Sequence, residues 1–237
     1  MTLTSRHYGL WPDHIRALFI PQIERYAAVL TERVLPTFHN IDAEAGTLEN
    51  ETYERLLSRS TSEDPDIASL AEKARDEAVD FLSMMQRMKQ AQINLQTVGL
   101  YHLFEQQLFE IHRRLEFSLT RMGATAELRL KQVKAALRAD GVAIEKLSAW
   151  SKVDELRLVA NCAKHAEGSA CEQLRTRRPD LLSHPSRRVD GPPWPDPDRV
   201  VFNPLGGENL YVDRRDFEEY VASLKSFWRN LATAMPV

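Results

Sequence analysis

The stretch FLSMMQRMKQAQINLQTVGLYHLFEQQLFEIHRRL, residues 81–115, decides the fold class. It has no proline and a single glycine, Gly99. Phe81, Met84, Met85, Met88 and Leu95 form one stripe, and Leu100, Phe104, Leu108, Ile111 and Leu115 continue it at four- and three-residue steps. That is the period of a helix face packed on neighbours, because residues three and four apart stand above one another. The spacing predicts one long helix from about Asp66 to Leu119, with Gly99 as the place for a kink. The methionines read as adaptable core, since an unbranched thioether fills irregular gaps. Ser60-Thr-Ser-Glu-Asp64-Pro65 reads as the start signal, with Asp64 as cap and Pro65 as the first helical residue.

Helix is expected on both sides of this segment. From about Trp11 to Leu57, Leu18, Ile23, Ala27 and Leu30 share a stripe, and Pro21 and Pro36 each start or bend a piece because proline lacks the amide donor. Downstream, a helix from about Thr125 to Arg138 is closed by Asp140-Gly141. Ser151-Lys-Val-Asp154 has capping-box spacing and opens a helix that Gly168 ends, followed by a short one at Ala170–Thr176. Residues 179–197 hold six of the twelve prolines, which forbids helix there, with Trp194 as an anchor to the body. Val200-Val-Phe202 and Leu210-Tyr-Val212 flank Gly206-Gly207 and read as a small hairpin. Asp213 then caps a last helix whose Phe217, Tyr220, Val221, Leu224, Phe227, Trp228 and Leu231 form an apolar face that must dock.

The expected architecture is therefore an all-α helical bundle with a small C-terminal β-hairpin and a final docked helix. Its 237 residues, 43% hydrophobic and 27% charged, exclude collagen-like, disordered and disulfide-scaffold chains. A net charge of -3 excludes a polybasic nucleic-acid glue, though not a local basic patch. Arg6, His7 and Tyr8 stand where a signal peptide would need apolar residues, and no apolar run is long enough for a membrane span, so a cytoplasmic protein without membrane contact is expected.

One segment carries chemistry: Asp154-Glu-Leu-Arg157-Leu-Val-Ala160-Asn161-Cys162-Ala-Lys164-His165-Ala-Glu-Gly168. Val153, Leu156, Ala160 and Ala163 form its packed stripe. Arg157, Asn161 and His165, four residues apart, are each offset by about 40° on an α-helix, and Lys164 lies beside them. Imidazole exchanges a proton near neutral pH, guanidinium holds the charge of a phosphoryl transition state, and an amide orients either without adding charge. With RNA, the 2′-hydroxyl is an internal nucleophile, so no metal or other cofactor is required.

Asn161-Cys-Ala-Lys-His165, late on a helix of an all-α domain, resembles the motif of the HEPN superfamily (higher eukaryotes and prokaryotes nucleotide-binding). The resemblance implies a domain order of an N-terminal helical extension at 1–60, a HEPN-like helical core at 61–178, and a proline-rich loop, hairpin and C-terminal helix at 179–237. It also implies a metal-independent endoribonuclease, or a toxin or phage-defence effector, working as a homodimer on RNA beside an antitoxin or defence-system partner. Arg157 would clamp phosphate, Asn161 would position it and His165 would act as acid or base. The family places its arginine directly before the asparagine, where this chain has Ala160. A non-catalytic HEPN-like helical module binding a partner protein or a nucleotide is therefore the alternative.

Weaker groupings surround that motif. His102, Glu105, Gln106 and Phe109 share a flank of the long helix, and Glu105 and His102 are candidates to orient His165 or anchor Arg157. Arg175, Arg177, Arg178, Arg187 and Arg188 bunch near the proline-rich loop and could guide an RNA backbone. Cys162, His165 and Cys171 lack a fourth ligand at suitable spacing, so no metal site is expected.

Overall fold

Ile15, Phe19 and Ile23, each four residues on from the last, turn one side of the first helical segment inward, and all three are fully buried. The computed structural model describes residues 9–61, 64–119, 130–185 and 200–235, with the side chains of 115–119 outside that description. Its first segment comprises α1 (Trp11–His14), a π-helical turn, α2 (Ile20–Val29), a second π-helical turn and the 3-10 turn Leu35–Phe38. Pro21 and Pro36 each stand in the first turn of a piece, where the missing amide costs no hydrogen bond. Leu18, expected on the buried stripe, is exposed. Its five-residue step to Ile23 is about 140° of helical rotation, so the two cannot face one core.

Helix α3 (Ile41–Arg59) packs along α4 (Ile67–Leu119), a single rod that at 1.5 Å per residue is about 80 Å long. Its start is capped by Asp66, whose Oδ1 accepts the Ser69 amide at 3.1 Å, and not by Asp64. The helix runs unbroken through Gly99. There the Tyr26 hydroxyl, donating to the Gln96 carbonyl at 3.1 Å, would lie 1.9 Å from a Cβ, so glycine is required by close approach.

The two ends of α4 have different surroundings. Leu100, Phe104, Leu108 and Ile111 are buried as expected, while Leu115 is outside the described side chains. Met84, Met88 and Leu95 are exposed, contrary to their reading as core. This half of the rod buries small residues, Ala74 and Ala78, and the methionine stripe turns outward.

Helix α5 (Leu130–Ala139) ends as Asp140-Gly141 requires: Gly141 has φ +86°, its amide donates to Arg138, and the Val142 amide reaches back to Leu137. The expected start of this helix at Thr125 lies outside the described residues. Helix α6 (Trp150–His165) follows a 3-10 turn at Ile144–Lys146. No side chain caps α6, and the expected cap Ser151 lies inside its first turn. It stops at His165, three residues before Gly168, where Ala166 takes φ +59°. Helix α7 (Ser169–Arg177) and the 3-10 turn Pro179–Leu182 come next. Pro192, Pro193, Trp194, Pro195, Pro197, Arg187 and Arg188 fall outside the described residues.

The expected hairpin is replaced by an irregular loop. Among the described residues there is no strand, only an isolated antiparallel bridge in which Phe202 and Glu208 exchange backbone hydrogen bonds. Helix α4 takes up the loop's carbonyls instead. The buried Asn94 Nδ2 lies 3.2, 3.1 and 2.9 Å from the carbonyls of Gly206, Gly207 and Leu210, and Gln90 Nε2 donates to the Val212 carbonyl at 2.8 Å.

Helix α8 (Arg214–Ala234) carries the capping box that Asp213 announces, with Asp216 as its reciprocal member. Its Phe217, Tyr220, Leu224, Phe227, Trp228 and Leu231 are fully buried. Phe227 and Trp228 meet Phe104 and Phe19 edge-on at centroid distances of 5.0 Å, joining α8 to α4 and the first segment. Among the described residues, no helix is long and apolar enough to cross a membrane.

Candidate anion-binding cavity

Helix α6 is held against the body by Val153, Leu156, Val159, Ala160, Cys162 and Ala163, all buried. Its remaining side borders an open cavity of about 990 Å³ lined by α4, α5, α6 and the tip of the 200–212 loop. Arg157, Asn161 and Lys164 line it from α6, His102 and Glu105 from α4. Five of the six residues expected to form or support the site therefore share one chamber. His165 is the exception: it is exposed and does not line the cavity. Arg157, Asn161 and Lys164 fall within about 60° of helix arc, whereas His165 is turned about 100° from Lys164.

Sequence reasoning missed the opposite wall. Lys131, Lys134 and Arg138 face the same chamber from α5. Their spacing of three and four residues puts them on one helical face, a signal available in the sequence. The lining thus has five Lys and Arg side chains against two carboxylates, Glu105 and Glu145, in a chain whose net charge is -3. Three of the cations are already engaged: Glu145 Oε1 lies 3.1 Å from Arg138 and 3.7 Å from Lys134, whose ammonium also stands 4.2 Å over the Trp150 ring, and Arg157 pairs with Asp154. Lys131 and Lys164 make no ion pair with any described residue.

Arg157 is anchored within its own helix. Its Nε donates to Asp154 Oδ1 at 2.8 Å, and Arg177 Nη1 donates to the other oxygen at 3.1 Å. Burial works to raise the Asp154 carboxyl, but the hydrogen bonds and charges of Arg157 and Arg177 outweigh it and hold it below its ordinary value. Glu105 does not anchor Arg157. It lies 3.9 Å from His102 Nδ1 and beside Tyr101, whose phenol is pushed well up by burial and then by the Glu105 charge, so it stays a neutral hydrogen-bonding group.

The arginines after α6 are taken up by the chain's own carboxylates. Arg175 pairs with Glu167, and Arg177 also donates to Ser151. Arg178 reaches Glu155 at 2.6 Å, Asp180 at 2.7 Å and Asp216 at 2.7 Å. Glu155 also accepts from Lys152 and Tyr220, both at 2.9 Å, so this partly buried cluster ties α6, the α7 end and α8 together. Cys162 and Cys171 are buried and form no disulfide, and among the described residues no three His, Cys, Asp or Glu side chains converge on a metal position.

The loop tip completes the chamber through Leu205. Leu205 has φ +70°, and its amide donates to the Ala163 carbonyl on α6 at 2.9 Å. Gly207, at φ +58°, lies so near α6 that a Cβ would come within 3.3 Å of the Ala163 backbone. Such an arrangement can bind a multiply charged anion with an apolar part, holding charge on α5 and α6 and apolar surface near Leu95, Val98 and Leu205. No family model, curated protein or solved structure matches the chain.

Proposed function

We propose that the chain is a HEPN-like helical module that binds RNA through the α4–α5–α6 cavity, with Arg157 and Lys164 on phosphate and Asn161 positioning it. The observation that carries this reading is the convergence of Arg157, Asn161 and Lys164 with Lys131, Lys134 and Arg138 on one chamber in an otherwise slightly acidic protein. Clustered cations bind phosphate by displacing condensed counterions, which makes affinity fall steeply with salt. Fluorescence anisotropy with a short labelled RNA tests it. Binding should weaken with salt, and Lys131→Gln with Lys164→Gln should lower both affinity and salt slope. Salt-insensitive binding, or none, rejects the reading.

Cleavage is the second reading, in which His165, exposed one turn beyond Asn161, is open to RNA held by a second copy. Within one chain that imidazole stands outside the chamber, so the chemistry needs His165 of a second copy at the phosphodiester. RNA cleavage in EDTA that disappears in His165→Ala supports the enzyme. Binding without cleavage by either protein supports the module.

A further inference from the structure

Leu205 stands in a costly conformation with little burial to offset it. It is 57% exposed, and its φ of +70° is in the left-handed region that a branched side chain occupies at a penalty. Glycine would remove the backbone penalty, yet leucine stands here, between Pro204 and Gly206. The surroundings hold it firmly. Its own amide is tied to Ala163, and the following carbonyls of Gly206 and Gly207 are held by the buried Asn94. The strained backbone thus presents an apolar side chain at a chamber whose α5 and α6 walls are cationic.

We infer that Leu205 is the base-recognition residue of this cavity: its side chain covers the face of an unpaired nucleobase whose phosphates lie on Lys131, Arg157 and Lys164. The inference rests on the RNA-binding reading and adds the class of ligand, a single strand with an accessible base. A base offers what the cavity can use, a flat apolar face for Leu205 and a hydrogen-bonding edge for the lining residues Asn161, His102 and Glu105. Glu105 accepts from an exocyclic amino group, which an aliphatic chain or inorganic polyphosphate lacks. A duplex buries its base faces in its own stack and offers only the phosphate half of the contact.

The test compares three probes on the intact chain: a short single-stranded RNA, an abasic ribose-phosphate strand of equal length, and the same RNA as a duplex. Wild type should bind the single strand about tenfold more tightly than the other two, equivalent to one apolar contact of about 1.4 kcal/mol. Leu205→Ala and Leu205→Gly should bring the single strand to the level of the abasic one. Leu205→Gly should melt no lower than wild type, because glycine accepts this backbone without strain. Equal binding of all three probes by wild type, or a preference that survives both variants, overturns the inference while leaving RNA binding standing. Failure of every probe to bind removes the underlying reading as well.

Discussion

Arg157 Nε and Asp154 Oδ1 are 2.8 Å apart on one face of α6, and the second oxygen of Asp154 is held by Arg177 from α7. The carboxylate thereby orients the guanidinium beside the cavity and staples the α6–α7 corner. Asp154→Asn keeps the shape and removes the charge. Urea denaturation should show a loss of about 1–2 kcal/mol, the size of charge-assisted hydrogen bonds at a partly exposed site. An unchanged midpoint would mean that Ser151 and Glu155 hold Arg177 without it.

Asn94 is the tie between α4 and the loop that carries Leu205. Asn94→Ala leaves the Gly207 and Leu210 carbonyls, which it contacts in a buried setting, without their donor. The expected cost is about 1–3 kcal/mol in chemical denaturation, the penalty of unsatisfied buried polar groups. Protection of the 200–212 amides in hydrogen exchange should fall more than that of α8. A uniform loss would place the tie elsewhere.

Gly99→Ala tests the close approach on α4. In an open helix the change would stabilise by up to about 1 kcal/mol. Here the Cβ would meet the Tyr26 hydroxyl, so the melting temperature should fall instead. Tyr26→Phe, which removes the nearest atom, should recover part of the loss in the double variant. Additive losses would show that the two sites are not in contact.

Stability should fall on acidification through the carboxylate range. Burial works to raise the Glu155 carboxyl, yet the hydrogen bonds from Lys152 and Tyr220 and the Arg178 charge hold it below its ordinary value. A depressed folded-state pKa means that the unfolded chain takes up the proton first. The contribution is therefore present above the ordinary value of 4.5 and lost as pH falls below it. Denaturation midpoints across that range should decline in wild type and change less in Glu155→Gln. A wild-type profile flat in acid would contradict the depressed Glu155 carboxyl.

Much of the fold was legible because it is locally encoded. The long helix followed from the four- and three-residue steps at Leu100, Phe104, Leu108 and Ile111. Gly141 ended α5 and Asp213 capped α8 through bonds that span only a few residues. Periodicity could not tell which apolar stripe would find a partner, so Met84 and Met88 read as core and are exposed. Gly206-Gly207 resembled a hairpin turn because the sequence alone does not reveal that Asn94, more than a hundred residues earlier, takes the loop's carbonyls.

The candidate site divides in the same way. The sequence by itself determined that Arg157, Asn161 and Lys164 share a flank of one helix, since helical rotation alone sets that. Only the tertiary structure decided that His165 falls outside the cavity, that Arg175, Arg177 and Arg178 are paired within the chain, and that Lys131, Lys134, Arg138 and Leu205 belong to the lining. Rotation about a helix is a property of neighbouring residues. What a side chain meets depends on elements brought in from distant parts of the chain.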